Sequence, residues 1–318
     1  MKPSPKTLLP RLCAALLAAA AVALAGCGGG QQSNRFGAAR VLAFGDESSV
    51  IDAAGRKYTV NALQADGVSF DCTANPLWIQ TLAASFGLVF RECPGLVSDA
   101  ASRILAVPGA KVADLAGQID AFINEPQAIG AGDLATVLVG QNDILDLYNN
   151  SYDGTNGAAV IAAAEALGSV VSAQVTRLTD LGAKVIVATV PDLGVTPFAV
   201  AEGSERALLL SNMTRRFNIA LLLALPNDGH RIGLVRSDDQ VRTLVSVGTS
   251  SGLANVTDAA CLPAAPLPYC TTATLTTDAN GTAATATGWL WADATHLGPT
   301  GHANLALAAV ARAHNNPF

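Results

Sequence analysis

The sequence predicts an α/β domain in which a mostly parallel sheet has helices on both of its faces. Four short runs are hydrophobic nearly throughout, as strands buried on both faces are. Helical patterns lie between these runs, and strands that alternate with helices are typical of such a sheet. The predicted strands are residues 40–44, 135–139, 184–190 and 231–235. The predicted helices are residues 77–86, 112–123, 158–181, 202–225 and 299–314.

The carboxyl ends of the predicted strands locate a candidate site. Ligands of open parallel sheets bind beyond these ends. Three of the strands run into polar segments, which are GDESS at 45–49, GQND at 140–143 and PDLG at 191–194. We therefore expect the functional residues to lie at this edge of the sheet.

The first 26 residues are typical of a secretory signal peptide. Lys2, Lys6 and Arg11 precede an apolar run, residues 14–24, that is shorter than the ~20 residues needed to span a bilayer. The run ends in LAGC, which resembles the lipobox of bacterial lipoproteins. This resemblance implies cleavage before Cys27 and a lipid anchor on its thiol.

The mature chain is expected to hold one domain behind a tether. Within residues 27–38, Cys27 is followed by glycines and polar residues, which are typical of a flexible tether. Nothing within residues 39–318 is typical of a linker, so this range is predicted to be a single domain. We expect the protein in the cell envelope, lipid-anchored or periplasmic. Gly28 lacks the aspartate that retains some lipoproteins in the inner membrane, which favours the outer membrane.

The charge of the mature chain excludes some partners. Cleavage after residue 26 removes three positive charges and no negative charge, which changes the net charge from −6 to −9. A domain this acidic is a poor candidate for binding nucleic acid or an anionic lipid surface. Membrane contact is therefore expected through the N-terminal lipid.

The cysteines of the mature domain predict disulfides. Cys72, Cys93, Cys261 and Cys270 remain after Cys13 and Cys27 are set aside. An even number of cysteines in an exported chain indicates disulfides, and three pairings are possible. A metal site is the alternative, but the chain has no Cys-x-x-Cys and no histidine close to any of the four, so none is predicted.

Asp293 and His296 are the candidate acid and base. A carboxylate three residues before a histidine can fold back, accept a hydrogen bond from the ring and stabilise the imidazolium, as a general base requires. Asn142, which follows a buried strand, could donate its side-chain amide to a developing oxyanion. Each motif alone is as well explained by a capped helix or a turn.

Taken together, four blocks have the order and rough spacing found in SGNH/GDSL hydrolases, a family of serine esterases. They are FGD at 44–46, Gly109 within AVPGA, GQND at 140–143, and Asp293 with His296. The chain resembles this family from about residue 40 to residue 311. The resemblance implies a three-layer α/β/α, flavodoxin-like fold and an activity without cofactor or metal. It also implies that His296 is the base, that Asp293 orients it, and that Gly109 N–H and Asn142 stabilise the oxyanion.

The first block departs from the family at the nucleophile, because Glu47 stands where the family has serine. In one interpretation the loop shifts so that Ser48 attacks, with Ser49 as a substitute. In a second, the Glu47 carboxylate attacks, although with an ester this gives an anhydride. In a third, the site is degenerate and binds a ligand without turnover. The presence of Asp293 and His296, together with the GQND block, favours the first interpretation.

The sequence therefore predicts a hydrolase of carboxylic esters that uses Ser48, His296 and Asp293 through an acyl-enzyme. The expected substrate is a small-molecule ester or lipid. The alternative is a non-catalytic cell-envelope binding lipoprotein. If Ser48 attacks, it must lie within ~2.6–3.2 Å of His296. Glu47 must then point away from the oxyanion donors, toward solvent or a cation such as Arg103.

Overall fold

A computed structural model describes residues 36–95, 100–125, 128–279, 281–315 and 318. The predicted signal peptide, Cys27 and most of the predicted tether lie outside the described residues. The strands are β1 (Arg40–Gly45), β2 (Ala62–Leu63), β3 (Phe70–Asp71), β4 (Arg103–Ile104), β5 (Asp133–Leu138), β6 (Lys184–Ala188), β7 (Ile232–Val235), β8 (Asn255–Ala259) and β9 (Trp289–Trp291). The helices are α1 (Trp78–Ala84), α2 (Leu115–Ile123), α3 (Gln141–Asp146), α4 (Gly157–Asp180), α5 (Pro197–Glu202), α6 (Ser204–Ala224), α7 (Ser237–Val247) and α8 (Pro299–Asn315).

Five parallel strands form the central sheet in the order β4-β1-β5-β6-β7. Every residue of β1 and β5 is buried, which explains why these strands read as continuous hydrophobic runs. An ion pair between Arg40 and Asp133, at the start of both strands, joins residues that are paired in register. The predicted α/β class with a mostly parallel sheet is confirmed.

Alternate residues of each strand face opposite helical layers, as the two-residue repeat of a strand requires. Leu42 and Phe44 of β1 pack with α2, α4 and α6 on one face. Val41 and Ala43 pack with α1, α7 and α8 on the other face. The five parallel strands of the central sheet have their carboxyl ends at one edge, which is where the candidate site lies.

Helix α4 is the one helix among the described residues that is long and apolar enough to cross a membrane. In the fold it packs closely on α6, because Gly168 has no side chain. A Cβ atom there would lie 2.1 Å from the carbonyl oxygen of Phe217. Val171 and Val175 of α4 belong to the hydrophobic core of the domain.

Two disulfides are present, Cys72–Cys93 and Cys261–Cys270, with Cα–Cα distances of 5.6 and 5.8 Å. The prediction that these four cysteines form disulfides is confirmed, and the pairing is the local one of the three that the sequence allowed. The first bridge lies between β1 and β4 of the central sheet, and the second lies between β8 and β9.

Three elements differ from the sequence-based expectation. The predicted helix 202–225 begins at Ser204 as α6, because Gly203, with a φ of 91°, separates it from the short helix α5, which ends at Glu202. The two-residue edge strand β4 is too short to leave a hydrophobic run. Helix α7 begins with the polar sequence SDDQ, which hides its helical period.

Candidate functional site

The segment after β1 carries the first site residue. Gly45 has a φ of 124°, and a Cβ atom there would lie 1.9 Å from the carbonyl oxygen of Leu138 in β5. Asp46 caps the short 3-10 turn Glu47–Ser49, since its Oδ1 accepts a 3.0 Å hydrogen bond from Ser48 N. This tight exit from the sheet places Glu47 at the carboxyl edge of the strands.

The Glu47 carboxylate lies at the centre of the site and is buried, with 4% of the residue exposed. Its Oε1 lies 3.0 Å from His296 Nε2. Its Oε2 accepts hydrogen bonds from Gly109 N at 2.8 Å and from Asn142 Nδ2 at 2.9 Å. Thus one carboxylate oxygen contacts the candidate base, and the other contacts both candidate oxyanion donors.

Asp293 holds the imidazole from the opposite side. His296 Nδ1 lies 2.9 Å from each of the Asp293 carboxylate oxygens. Oδ1 of Asp293 also accepts from the backbone N–H groups of Thr295 and His296, at 2.8 and 2.7 Å. These bonds form a tight turn just before α8, and they fix the orientation of the ring. The structure therefore brings together Gly109, Asn142, Asp293 and His296 around Glu47.

The expected direction of Glu47 is wrong. Glu47 does not turn toward Arg103, which pairs instead with Glu92 at 3.3 Å and with Glu125 at 2.8 Å. The physical reason is that a ring N–H and two further N–H donors converge on the Glu47 position. These three donors stabilise a carboxylate at this position better than solvent water would.

The structure also shows the surroundings of the two candidate serines, Ser48 and Ser49. Ser49 is fully buried, and its Oγ accepts a 3.1 Å hydrogen bond from Trp78 Nε1. Within the described part of the chain, no hydrogen bond joins Ser48 to His296, so the contact expected for an attacking Ser48 is not formed. His296 Nε2 contacts the Glu47 carboxylate in its place.

Glu47 and His296 form an ion pair. Burial opposes the charged form of Glu47, but the hydrogen bond and charge of His296, followed by the bonds from Asn142 and Gly109, lower its pKa to about 2. Burial likewise opposes the charge on His296, but its bonds to Asp293 and Glu47 outweigh this effect and raise its pKa to about 10. At neutral pH the site thus holds an imidazolium between two carboxylates.

Asp46 is the neutral neighbour of this ion pair. Its burial, followed by the negative charge of Glu47, raises its pKa to about 8. Its Oδ2 is buried and has no hydrogen-bond partner among the described protein groups. A protonated Asp46 adds no third negative charge beside Glu47 and Asp293.

A small cavity of about 10 Å³, close to the minimum that can hold one water molecule, lies beside His296 and is lined in part by Ser48, Gln141 and His302. Gln141 Nε2 and His302 Nδ1 are buried without a hydrogen-bond partner among the described protein groups. Burial, followed by the positive charge of His296, lowers the pKa of His302 to about 3, so this second histidine is neutral.

Three residues near His296 were not predicted as site residues, namely Gln141, His302 and Tyr58. Gln141 belongs to the GQND block and His302 follows the Asp293–His296 motif, so their positions near other site residues were available signals. Tyr58, whose ring centroid lies 6.2 Å from that of His296, has no such signal in the sequence.

The charge state of His296 is open to direct measurement. We expect its ring signals in a ¹⁵N NMR titration to stay those of an imidazolium at neutral pH and to change near pH 10, because Asp293 and Glu47 stabilise the cation. The Glu47→Gln variant should titrate at lower pH, since one of the two stabilising charges is gone. A wild-type ring that is neutral at pH 7 would contradict the ion pair.

The same pair predicts how stability depends on pH. The raised pKa of His296 gives stability that is fully present below the ordinary histidine value of 6.5 and is lost as the pH rises through about 10. The lowered pKa of Glu47 gives stability that is fully present above the ordinary glutamate value of 4.5 and is lost as the pH falls through about 2. Both contributions are complete between these ordinary values.

Comparison with known proteins agrees with this architecture. The family model described as GDSL-like Lipase/Acylhydrolase matches residues 41–309. A search of the curated proteins gives no match to the chain.

Three solved structures are similar to the chain at low sequence identity. An acetylxylan esterase from Geobacillus stearothermophilus is 12% identical over 88% of this chain and 96% of that one, with a TM-score of 0.45. An extracellular lipase from Streptomyces rimosus is 18% identical over 74% and 93%, with a TM-score of 0.43. An alpha/beta hydrolase enzyme from the metagenome of Lake Arreo is 15% identical over 87% and 96%, with a TM-score of 0.42.

The family match spans most of the chain and includes every residue of the site described above. It begins within β1 and ends within α8, so it covers all five strands of the central sheet. The chain belongs to the GDSL-like lipase/acylhydrolase family.

Proposed function

We propose that the protein hydrolyses ester bonds and that the Glu47 carboxylate, rather than a serine hydroxyl, forms the covalent bond to the substrate. The observation that carries this proposal is the contact between Glu47 Oε1 and His296 Nε2 at 3.0 Å, in the position where a nucleophile contacts its histidine. Family membership supports ester hydrolysis in general, and the contacts of Glu47 support its role in the reaction.

The protonation state of the site favours a carboxylate nucleophile. A serine must lose a proton as it attacks, so it needs a neutral imidazole as the base. His296 already carries that proton, because its pKa is raised to about 10. Glu47 is anionic at neutral pH, since its pKa is lowered to about 2, and it needs no base in order to attack.

The same histidine can serve both halves of the reaction. In the first half, the imidazolium gives a proton to the departing oxygen. Once Glu47 is bonded to the substrate it is no longer an anion, and one of the groups that raise the pKa of His296 is lost. The neutral ring, still held by Asp293, can then take a proton from the water that cleaves the intermediate. These steps need only protein groups and water.

Point variants test which side chain attacks. We expect Glu47→Gln, which keeps the shape of the side chain, to lower kcat/KM for para-nitrobenzyl esters by about a thousandfold or more, because a neutral amide is a poor nucleophile. Ser48→Ala and Ser49→Ala should each retain most of the activity. The measurement is steady-state hydrolysis by a soluble form that begins near Gln31.

The opposite pattern would restore the serine mechanism. If Ser48→Ala abolished hydrolysis while Glu47→Gln left it unchanged or raised it, Ser48 would be the nucleophile and Glu47 a group that closes the site at rest. An exposed carboxylate on α6 offers a matched control, since Glu205→Gln changes the same functional group away from the site.

A second candidate function is binding without turnover. The observation that favours it is that the Glu47 carboxylate accepts hydrogen bonds from His296, Gly109 and Asn142 at once. The donors that would otherwise bind a substrate are therefore already occupied. A wild-type protein that hydrolyses none of the esters, yet whose thermal midpoint rises with a bound ester or lipid, would support this function.

We also propose that the domain is anchored to the cell envelope through Cys27. The LAGC sequence that ends the apolar run supports this, and the lipid would be the only membrane contact that an acidic domain needs. We expect Cys27→Ser to move the protein from the membrane fraction to the soluble fraction, or to block its processing. A variant that is still processed and still sediments with membranes would contradict the anchor.

A further inference from the structure

We infer that Glu47 attacks a saturated carbon atom of its substrate, so that the enzyme cleaves the alkyl–oxygen bond of an ester and not the acyl–oxygen bond. This inference rests on the proposed function, in which Glu47 is the nucleophile. The class of substrate is an ester whose alcohol part offers an accessible primary or benzylic carbon.

The oxyanion donors carry the argument. In an acyl transfer, these donors must hold the carbonyl oxygen of the substrate as it becomes an anion. Here both are bound to Oε2 of Glu47, by Gly109 N at 2.8 Å and Asn142 Nδ2 at 2.9 Å. The oxygen that these donors are placed to stabilise is therefore the enzyme's own, and no substrate carbonyl can share it while Glu47 attacks.

If Glu47 attacks a saturated carbon, the two donors bound to Oε2 have a catalytic use. The intermediate is then an ester of Glu47, and its carbonyl oxygen is Oε2. When water adds to the Glu47 carboxyl carbon, the negative charge develops on Oε2, between the same two donors. The donors act in the second step, on an atom that they already hold.

The energy of the intermediate favours the same choice. A carboxylate that attacks an ester carbonyl forms an anhydride, which is more reactive than the ester it came from. A carboxylate that attacks a saturated carbon forms an ester, as carboxylate nucleophiles do at the sugar carbon in retaining glycosidases. The intermediate is then an ester, as the substrate is, and not an anhydride.

The first step forms one bond and breaks one. A lone pair of Glu47 Oε1 bonds to the alkyl carbon, and the bond from that carbon to the ester oxygen breaks. Its electron pair leaves with the carboxylate of the acid product, which His296 protonates from Nε2. The chain then holds a neutral His296 and an alkyl ester of Glu47.

The second step consumes one water molecule. His296 Nε2 takes a proton from water while the water oxygen bonds to the Glu47 carboxyl carbon. The tetrahedral intermediate collapses, the bond from Oε1 to this carbon breaks, and His296 returns a proton to the departing alkoxide. The carboxyl proton that remains on Glu47 passes to His296, which restores the ion pair. The sum is ester plus water giving acid plus alcohol.

Oxygen-18 water distinguishes the two bonds. We expect para-nitrobenzyl acetate, turned over many times in this water, to give labelled para-nitrobenzyl alcohol and unlabelled acetate, because the alcohol takes its oxygen from Glu47 and Glu47 takes its oxygen from water. The peptide that contains Glu47 should also gain the label after turnover. Glu205→Gln should show the same labels, and Glu47→Gln should lower turnover by about a thousandfold.

The outcomes separate this inference from the proposed function. Label in the acetate, with turnover that still depends on Glu47, would overturn attack on saturated carbon and leave Glu47 as an acyl nucleophile. Hydrolysis that does not depend on Glu47 would overturn both. Para-nitrobenzyl bromide, which has no carbonyl group, is the second probe. Glu47-dependent release of bromide supports the inference. If the protein turns over neither the acetate nor the bromide, the inference is overturned.

Discussion

Replacing Glu47 with serine is expected to convert the site into that of a serine esterase. The variant should react stoichiometrically with a fluorophosphonate, which wild type should not do, because no serine among the described residues forms a hydrogen bond with the His296 ring. Removing the carboxylate frees Gly109 N and Asn142 Nδ2 for a substrate oxyanion. It also removes one of the two anions that raise the pKa of His296, so the ring can serve as a neutral base.

Glu47→Ala is the matched control, because it removes the same carboxylate without supplying a hydroxyl group. Hydrolysis of para-nitrophenyl acetate by Glu47→Ser should exceed that of Glu47→Ala by roughly a hundredfold or more. The activity should rise with pH as His296 loses its proton. If the serine variant neither labels nor hydrolyses, the four residues around Glu47 are not arranged for acyl transfer. Labelling of wild type that Ser48→Ala abolishes would instead point to Ser48.

The elements that position the site were predictable because each has a local signal. Strands β1 and β5 are buried on both faces, so they appear in the sequence as hydrophobic runs. Asp293 and His296 are three residues apart, and a turn of that length brings the carboxylate to the ring. The edge strand β4 and helix α7 left no such signal, one because it has two residues and the other because it begins with polar residues.

The direction of Glu47 was not predictable by the same means. Its three hydrogen-bond donors come from positions 62, 95 and 249 residues further along the chain. From the neighbouring residues alone, a glutamate side chain is expected to point to solvent, because burying a carboxylate is costly. Burial of the Glu47 carboxylate becomes favourable because Gly109, Asn142 and His296 meet at one point. Together they replace the hydrogen bonds that water would have provided.

This meeting of donors also changes what the family resemblance implies. The same residues that stabilise a substrate oxyanion beside a serine will bind a carboxylate if one is supplied from the nucleophile position. Asp46 helps the site to accept a carboxylate in place of a serine. Its pKa is raised to about 8 by burial and by Glu47, which leaves it uncharged at neutral pH. A second carboxylate next to the Gly-Asp turn is therefore accommodated without placing two adjacent negative charges in the site.

Replacing His296 with asparagine is expected to trap the intermediate on Glu47. The first step with para-nitrobenzyl acetate should still proceed in this variant, because acetate is a weak base and can leave unprotonated when the imidazolium is absent. The second step needs a base to activate water, and the loss of a general base slows such a step by ~10²–10⁴-fold. One nitrobenzyl group per chain should therefore accumulate, measured as the mass of the intact protein and located by peptide mapping to Glu47.

The trapped group identifies both the attacking residue and the carbon attacked. The double variant with Glu47→Gln is the control and should form no adduct, while wild type should turn over without accumulating one. An acetyl group in place of the nitrobenzyl group would mean that Glu47 attacks the carbonyl carbon. An adduct on Ser48 would return the reaction to a serine nucleophile. The absence of any adduct under conditions where wild type hydrolyses the ester would contradict a covalent intermediate at Glu47, because the asparagine variant keeps the carboxylate.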